Sequence, residues 1–250
     1  MRRLFALVAL LAVAGCGDDA TVSGDGGKPQ IVVSAASSMK EALTACAPNF
    51  PDAGVRLQFA GSDELAAQIR QGVPVDVFAA ANTKLPDALA QEGKLGEPLT
   101  FATNRLVLAV PADGKVDSLR ALERPGVTLV VGAEGVPVGD YTRAVLAHLG
   151  PDRSKAVLAN VRSNEPDVKG IVGKLTQGAA DAGFIYASDV KATNGDLRAI
   201  ELPAELKPTA TYGAGVVKAA KQPDAAEAFV DDLLAGGCHD ALLAAGFGEP

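Results

Sequence analysis

IVVSAASSMKEAL, residues 31–43, starts as an unbroken apolar run and ends with helical spacing. The run reads as a buried strand, and the stretch from Met39 onward as the opening of a helix. Between them sit five small residues, Ser34-Ala35-Ala36-Ser37-Ser38. Ser38 and Glu41 have capping-box spacing, a serine at N-cap and a glutamate three positions on, so local structure alone explains the junction. The same junction also offers hydroxyls and free N–H groups at the positive end of a helix dipole, which is the chemistry of an anion site. Both readings stand at this point.

Outward from this junction, short apolar runs alternate with helical patterns, the signature of an α/β fold with a largely parallel sheet. The first units read as strand 30–34, helix 39–50, strand 55–59, helix 63–71 and strand 75–80. Pro86 suits the first turn of the next helix and Gly93 its end. RLVLAVP at 105–111 leads into a second lobe: strand 128–131, helix 140–149 closed by Gly150, strand 160–163, helix 167–177 closed by Gly178, and strand 182–186. LRAIELP and YGAGVV are two further extended runs, and helices opening at Pro223 and near His239 finish the chain.

Residues 1–16 read as an export signal and stand outside the fold. Arg2 and Arg3 precede LFALVALLAV, which is too short to span a bilayer as a helix, for which ~20 apolar residues are needed. VAGC sets Cys16 directly after small residues and resembles the lipobox of bacterial lipoproteins, in which the cysteine is lipidated. The polar, glycine-rich segment 17–29 suits a flexible tether. The alternative is an ordinary secretory signal with an incidental cysteine. Either way the protein is expected outside the cytoplasm, periplasmic or at the cell surface; on the lipoprotein reading a lipid is its sole membrane attachment. Loss of Arg2 and Arg3 moves the formal charge of the 250-residue chain from −7 to −9. So acidic a chain, with no basic stripe, is not built for nucleic acid. Cys46 and Cys238 remain, and in an exported protein an even remainder suggests a disulfide, the alternative being two buried free thiols.

No G-x-S-x-G elbow, Walker loop, H-E-x-x-H or C-x-x-C occurs, and the scattered carboxylates show no metal-ligand spacing. His148 falls in the last turn of a helix, where imidazole suits the dipole. Cys238-His239-Asp240 looks like a triad only in one dimension, since sequence neighbours on a helix point different ways. The expectation is a binding protein without a cofactor, not an enzyme. In open α/β sheets ligands bind beyond the carboxyl ends of the strands. Three such junctions stand out: Ser37-Ser38, Gly61-Ser62 within FAGSDEL, and the loop GVPVGDY at 135–141 with Pro137. Ser62 also has a capping reading, and Tyr186, at a strand end, a packing one.

Four blocks in order carry a resemblance: VVSAASSMKEAL, FAGSDELAAQIRQGVPVDVFAAAN, VGAEGVPVGDYTRAVLAHLG and NEPDVKGIVGKLTQGAADAGFIYASDV. From about residue 30 to 248 the chain resembles the molybdate-binding proteins of bacterial ABC importers, most specifically in F-x-x-Ser followed by G-x-P-x-D-V-F. The resemblance implies a two-lobe periplasmic-binding-protein fold of class II type, each lobe a mostly parallel sheet flanked by helices. Lobe one would take residues 30–105 and 210–250, lobe two 106–209, with crossing strands between them and the oxyanion in the cleft. By position, ligand contacts fall on Ser38 and Ser62 from lobe one, on Val138 and Val168 through backbone N–H, and on the Tyr186 hydroxyl. Ser37, Gly61 and Pro137 support them. The family's C-terminal segment returns to lobe one, which is compatible with a Cys46–Cys238 bridge. The implied function is capture of molybdate, and of tungstate, by a monomer that delivers it to an ABC permease, with no direct bond between protein and molybdenum.

A site of donors only suits a fully deprotonated oxyanion and disfavours hydrogen phosphate, provided Asp63, Glu64 and Asp140 point away. Sulfate would be rejected on cavity size. Asp63 and Glu64 stand where the family has small or neutral residues, and Ser34 where it has an aromatic or aliphatic one. The competing readings are a binder of sulfate or another small oxyanion, an exported α/β hydrolase, and a sensory protein.

Overall fold

The computed structural model describes residues 27–206 and 209–250; Cys16, the signal and residues 17–26 of the tether lie outside them. Strand β1 (Gln30–Ala36) is central, pairing in parallel with β2 (Gly54–Ala60) on one side and β3 (Val77–Ala80) on the other. Its Ile31, Val33 and Ala35 are fully buried, and Ser34 turns aside to donate to the Gln58 side chain at 3.2 Å. Beyond β3 the sheet continues antiparallel into β9 (Thr209–Val216) and then β4 (Leu99–Pro111).

β4 serves two neighbourhoods. Residues 99–105 pair with β9, whereas 106–111 pair with β7 (Ala182–Tyr186) and β8 (Leu197–Ile200). β7 pairs in parallel with β5 (Leu129–Gly132), and β5 with β6 (Val161–Glu165). The strand order is therefore β2-β1-β3-β9-β4-β7-β5-β6, two parallel cores joined by antiparallel β9 and β4.

Helices cover these cores: α1 (Lys40–Cys46), α2 (Ser62–Arg70), α3 (Lys84–Gln91), α4 (Pro137–Ala147), α5 (Pro151–Leu158), α6 (Val168–Thr176), α7 (Ala187–Ala192), α8 (Pro223–Ala235) and α9 (Gly237–Ala245). In α4 the buried Val138, Thr142, Val145 and Leu146 lie at helical spacing on one face. None of the described helices is long and apolar enough to cross a membrane.

Four details differ from the sequence reading. The helix expected over 39–50 is α1 between two 3-10 turns, Ser37–Met39 and Ala47–Asn49, the second holding Pro48. Helix α4 opens at Pro137, not at residue 140, because proline fits N1, where no N–H is required. α5 was not anticipated, although Pro151 marks its N1 in the same way. β4 begins at Leu99, ahead of the expected 105, since Thr100, Thr103 and Asn104 dilute the apolar pattern of its first half.

Cys46 and Cys238 are bonded, with Cα atoms 5.0 Å apart, and tie the end of α1 to the start of α9. Phe50 and Phe229 pack edge to face beside them at 5.2 Å. The bond closes a loop across 192 positions, so its loss frees much of the unfolded chain. Replacing both cysteines by alanine is expected to cost about 2–5 kcal/mol. Thermal melts should show this as a drop of roughly 5–15 °C in midpoint.

Candidate functional site

A cleft with about 210 Å³ of unfilled space, mouth included, lies where the carboxyl ends of both parallel cores converge. β1 contributes Ala36 and the following Ser37 and Ser38; the β2–α2 junction contributes Ala60, Gly61 and Ser62; Ala81 follows β3. From the other half come Val136, Pro137 and Val138 at the start of α4, Asp167 and Val168 at the start of α6, and Tyr186 at the end of β7. Every site residue expected from the sequence therefore lines one cleft.

Neither serine caps a helix. Gly61 is the N-cap of α2, no side chain caps it, and Ser62 Oγ instead accepts from the Ala81 N–H at 3.1 Å. Ser38 Oγ lies 2.9 Å from the Tyr212 hydroxyl. The capping box is not formed, because Glu41 faces outward to Lys169 Nζ at 2.7 Å. The Tyr186 hydroxyl is buried and meets no group in hydrogen-bond geometry, Tyr212 being engaged with Ser38. Burial, with Tyr212 and Tyr141 nearby, pushes the Tyr186 phenol well above its ordinary pKa, so it remains a donor at any physiological pH.

Backbone donors complete the wall. Pro137 has no N–H to offer, so Val138 is the first residue of α4 with a free one, and no side chain caps that helix. In α6 the Asp167 carboxylate accepts from Gly170 N–H at 2.9 Å, which leaves the Val168 N–H unclaimed. The start of α4 reaches the cleft only because Gly132 and Gly139 pack backbone to backbone. A Cβ on Gly139 would stand 2.1 Å from the Ala133 carbonyl.

Among the described residues no lysine or arginine lines the cleft, and Asp167 is its one carboxylate. Asp140 Oδ1 accepts from the Gly135 N–H at 2.9 Å, and Glu64 Oε1 from the Gln68 amide at 3.1 Å. Asp63 is likewise off the wall. Its Oδ1 is buried without a partner, and burial, together with Glu64 and Asp140, raises its pKa. Both histidines of the chain are elsewhere: His148 Nδ1 meets the Ala144 carbonyl at 2.7 Å, and His239 lies 3.5 Å from Glu249. With Cys238 in the disulfide, no triad exists around residue 239. Among the described residues no group of three or more His, Cys, Asp or Glu could hold a metal ion.

The sequence reading passed over two features. All three tyrosines of the chain stand in one row, Tyr141 to Tyr186 at 6.5 Å and Tyr186 to Tyr212 at 5.9 Å between ring centroids. The other is a bridge across the cleft: Lys169 on α6 reaches Glu41 on α1 at 2.7 Å and the fully buried Asp189 on α7 at 3.0 Å. Aromatic scarcity was the only sequence signal for the first, and nothing signalled the second.

The family of bacterial extracellular solute-binding proteins matches residues 31–248. The molybdate-binding protein ModA of Mycobacterium tuberculosis is 34% identical, over 98% of this chain and 97% of its own. That of Haemophilus influenzae is 27% identical over 99% of both. Among solved structures, the periplasmic molybdate-binding protein of Azotobacter vinelandii superposes with a TM-score of 0.78 at 22% identity, covering 88% of this chain and 99% of that one.

Burial raises the Asp189 pKa from 3.8 to about 6, against the pull of Lys169. Between those values the unfolded chain ionises first and the folded chain keeps the proton, so this group's contribution to stability falls as pH rises. Melts of the unsubstituted protein and of Asp189→Asn, from about pH 4 to about pH 7, should show the original protein losing ground to the variant. A constant difference would exclude the assignment.

Proposed function

We propose, from the premise that this chain belongs to the family of bacterial extracellular solute-binding proteins, that it is the molybdate-binding component of an ABC importer. The supporting observation is the donor inventory of the cleft: the Ser38, Ser62 and Tyr186 hydroxyls and the first N–H groups of α4 and α6, with no cation among them. A tetrahedral dianion is acceptor-only, and each hydrogen bond to it is charge-assisted, so such a set binds it without an ion pair. Neutral donors also leave no net charge behind when the anion departs. Tungstate, with the same shape and charge, is expected to share the site.

In this reading lobe one comprises residues 30–105 and 210–250 and lobe two 106–209, with β4 and β9 as the hinge. The anion meets the Ser38 and Ser62 wall first; closure then brings Val138, Val168 and Tyr186 onto it. The Lys169–Glu41 pair adds a contact made only when the lobes meet. The closed monomer presents the liganded state to a permease, and a lipid on Cys16 holds it at the membrane. No catalytic step is required: the cleft serines face a tyrosine and a backbone amide, with no histidine beside them.

Thermal melts with molybdate, tungstate, sulfate and phosphate test the reading. A ligand at ~100 times its Kd adds about 2.7 kcal/mol to native stability. Molybdate and tungstate should raise the midpoint strongly, sulfate little and phosphate not at all. Equal stabilisation by sulfate would refute the choice of ligand, and no shift with any oxyanion the class. Ser38→Ala combined with Ser62→Ala removes two bonds to a charged ligand, each worth about 1.5–3 kcal/mol. Molybdate binding should weaken about a hundredfold or more, while the ligand-free midpoint moves by only a few degrees.

A further inference from the structure

Each of the three hydroxyls assigned to the ligand, Ser38, Ser62 and Tyr186, has a single proton, and an oxyanion needs that proton pointed at it. For Ser62 the direction is fixed, because its oxygen already accepts from the Ala81 N–H and cannot donate to it. Tyr186 meets no partner in hydrogen-bond geometry, Tyr212 standing close enough only to raise its pKa. Ser38 differs: its partner is another hydroxyl, 2.9 Å away on Tyr212, and either oxygen could be the donor. The two directions are not equivalent. With Ser38 donating to Tyr212, the anion would face serine lone pairs; with Tyr212 donating, the serine proton is free for the ligand.

The anion selects the second direction: Ser38 can donate to it only if its single proton is free, and the hydroxyl 2.9 Å away on Tyr212 is then the donor. On β4, the Asn104 Oδ1 accepts from Arg105 N–H at 2.8 Å, which fixes the amide with its NH2 inward. That NH2 donates to Ser188 Oγ at 2.8 Å. Ala102 of β4 stands opposite Tyr212 of β9, so Asn104 is its diagonal neighbour on the same face. The Asn104 amide is thus spent on Arg105 and Ser188, and the group paired with the Tyr212 hydroxyl is Ser38.

We infer that Tyr212 is a positioning residue for oxyanion binding, its hydroxyl donating to Ser38 Oγ and thereby aiming the Ser38 proton at the ligand. This rests on the reading of Ser38 as a molybdate contact. The ring itself is held by Phe247 at 5.2 Å and Phe101 at 6.2 Å, edge to face, so Tyr212→Phe keeps the packing and removes only the donor.

Calorimetric titration with molybdate of the unsubstituted protein, Tyr212→Phe, Ser38→Ala and the double variant tests it, alongside melts without ligand. Tyr212→Phe should weaken binding about tenfold and leave the midpoint nearly unchanged. In the Ser38→Ala background the same change should cost no further affinity, because its target is gone. Unchanged affinity in Tyr212→Phe overturns the inference, and so does an equal loss in both backgrounds, which would indicate a merely structural ring. Failure of the unsubstituted protein to bind molybdate is a distinct result: it overturns the functional reading and this inference with it.

Discussion

The hydrogen-bond ladder between β4 and β9 holds the architecture together. β4 is 13 residues long, and its first half belongs to the ladder with β9 while its second half belongs to β7 and β8. Because one continuous strand passes between the two parallel cores, their carboxyl ends are brought to face the same space. The register shift between Thr100 and Ala102 lies within this pairing, and Asn104 and Tyr212 stand just beyond it. The strands that would act as a hinge thus also carry the groups next to Ser38.

The chemistry of the cleft follows from what the chain lacks. A net charge of −7 gives no general attraction for an anion, and none of the described lysines or arginines enters the wall. What remains is the dipolar donor, hydroxyl or backbone N–H, which is effective only where water is excluded and the donor is already aimed. Aiming is then the scarce quantity. It explains why Asp140 and Glu64 are engaged by neighbours on or beside their own helices, and why Gly132 and Gly139 give up side chains to let α4 approach.

Much of this was legible in the sequence, because the junctions obey local rules. Strand-to-helix transitions marked by small residues, Pro137 at a helix start and Tyr186 at a strand end all leave a signature within a few positions. Resemblance to a known family assembled them into one site. What stayed hidden is non-local: Ser38 meets Tyr212 across 174 positions, and Lys169 meets Glu41 across 128. The capping-box reading of Ser38 failed for the same reason. Its spacing was right, but a tertiary partner claimed the serine and another the glutamate. The first half of β4 escaped because its buried Asn104 is satisfied by Ser188 and Arg105, a compensation that composition cannot reveal.

Cys238 follows Cys46 by 192 positions, and β9, the strand that covers the edge of the first parallel core, also comes after the whole of the second core. A chain emerging from its N-terminus therefore delivers β1 to β3 first, yet cannot close their sheet edge or oxidise Cys46 until the second core has crossed. The segment holding β5, α4, β6, α6 and β7 is contiguous and needs no such wait. The order of synthesis and the order of completion are thus reversed: the half that is exported first is finished last, and an unpaired thiol and an open strand edge persist until the final helix arrives.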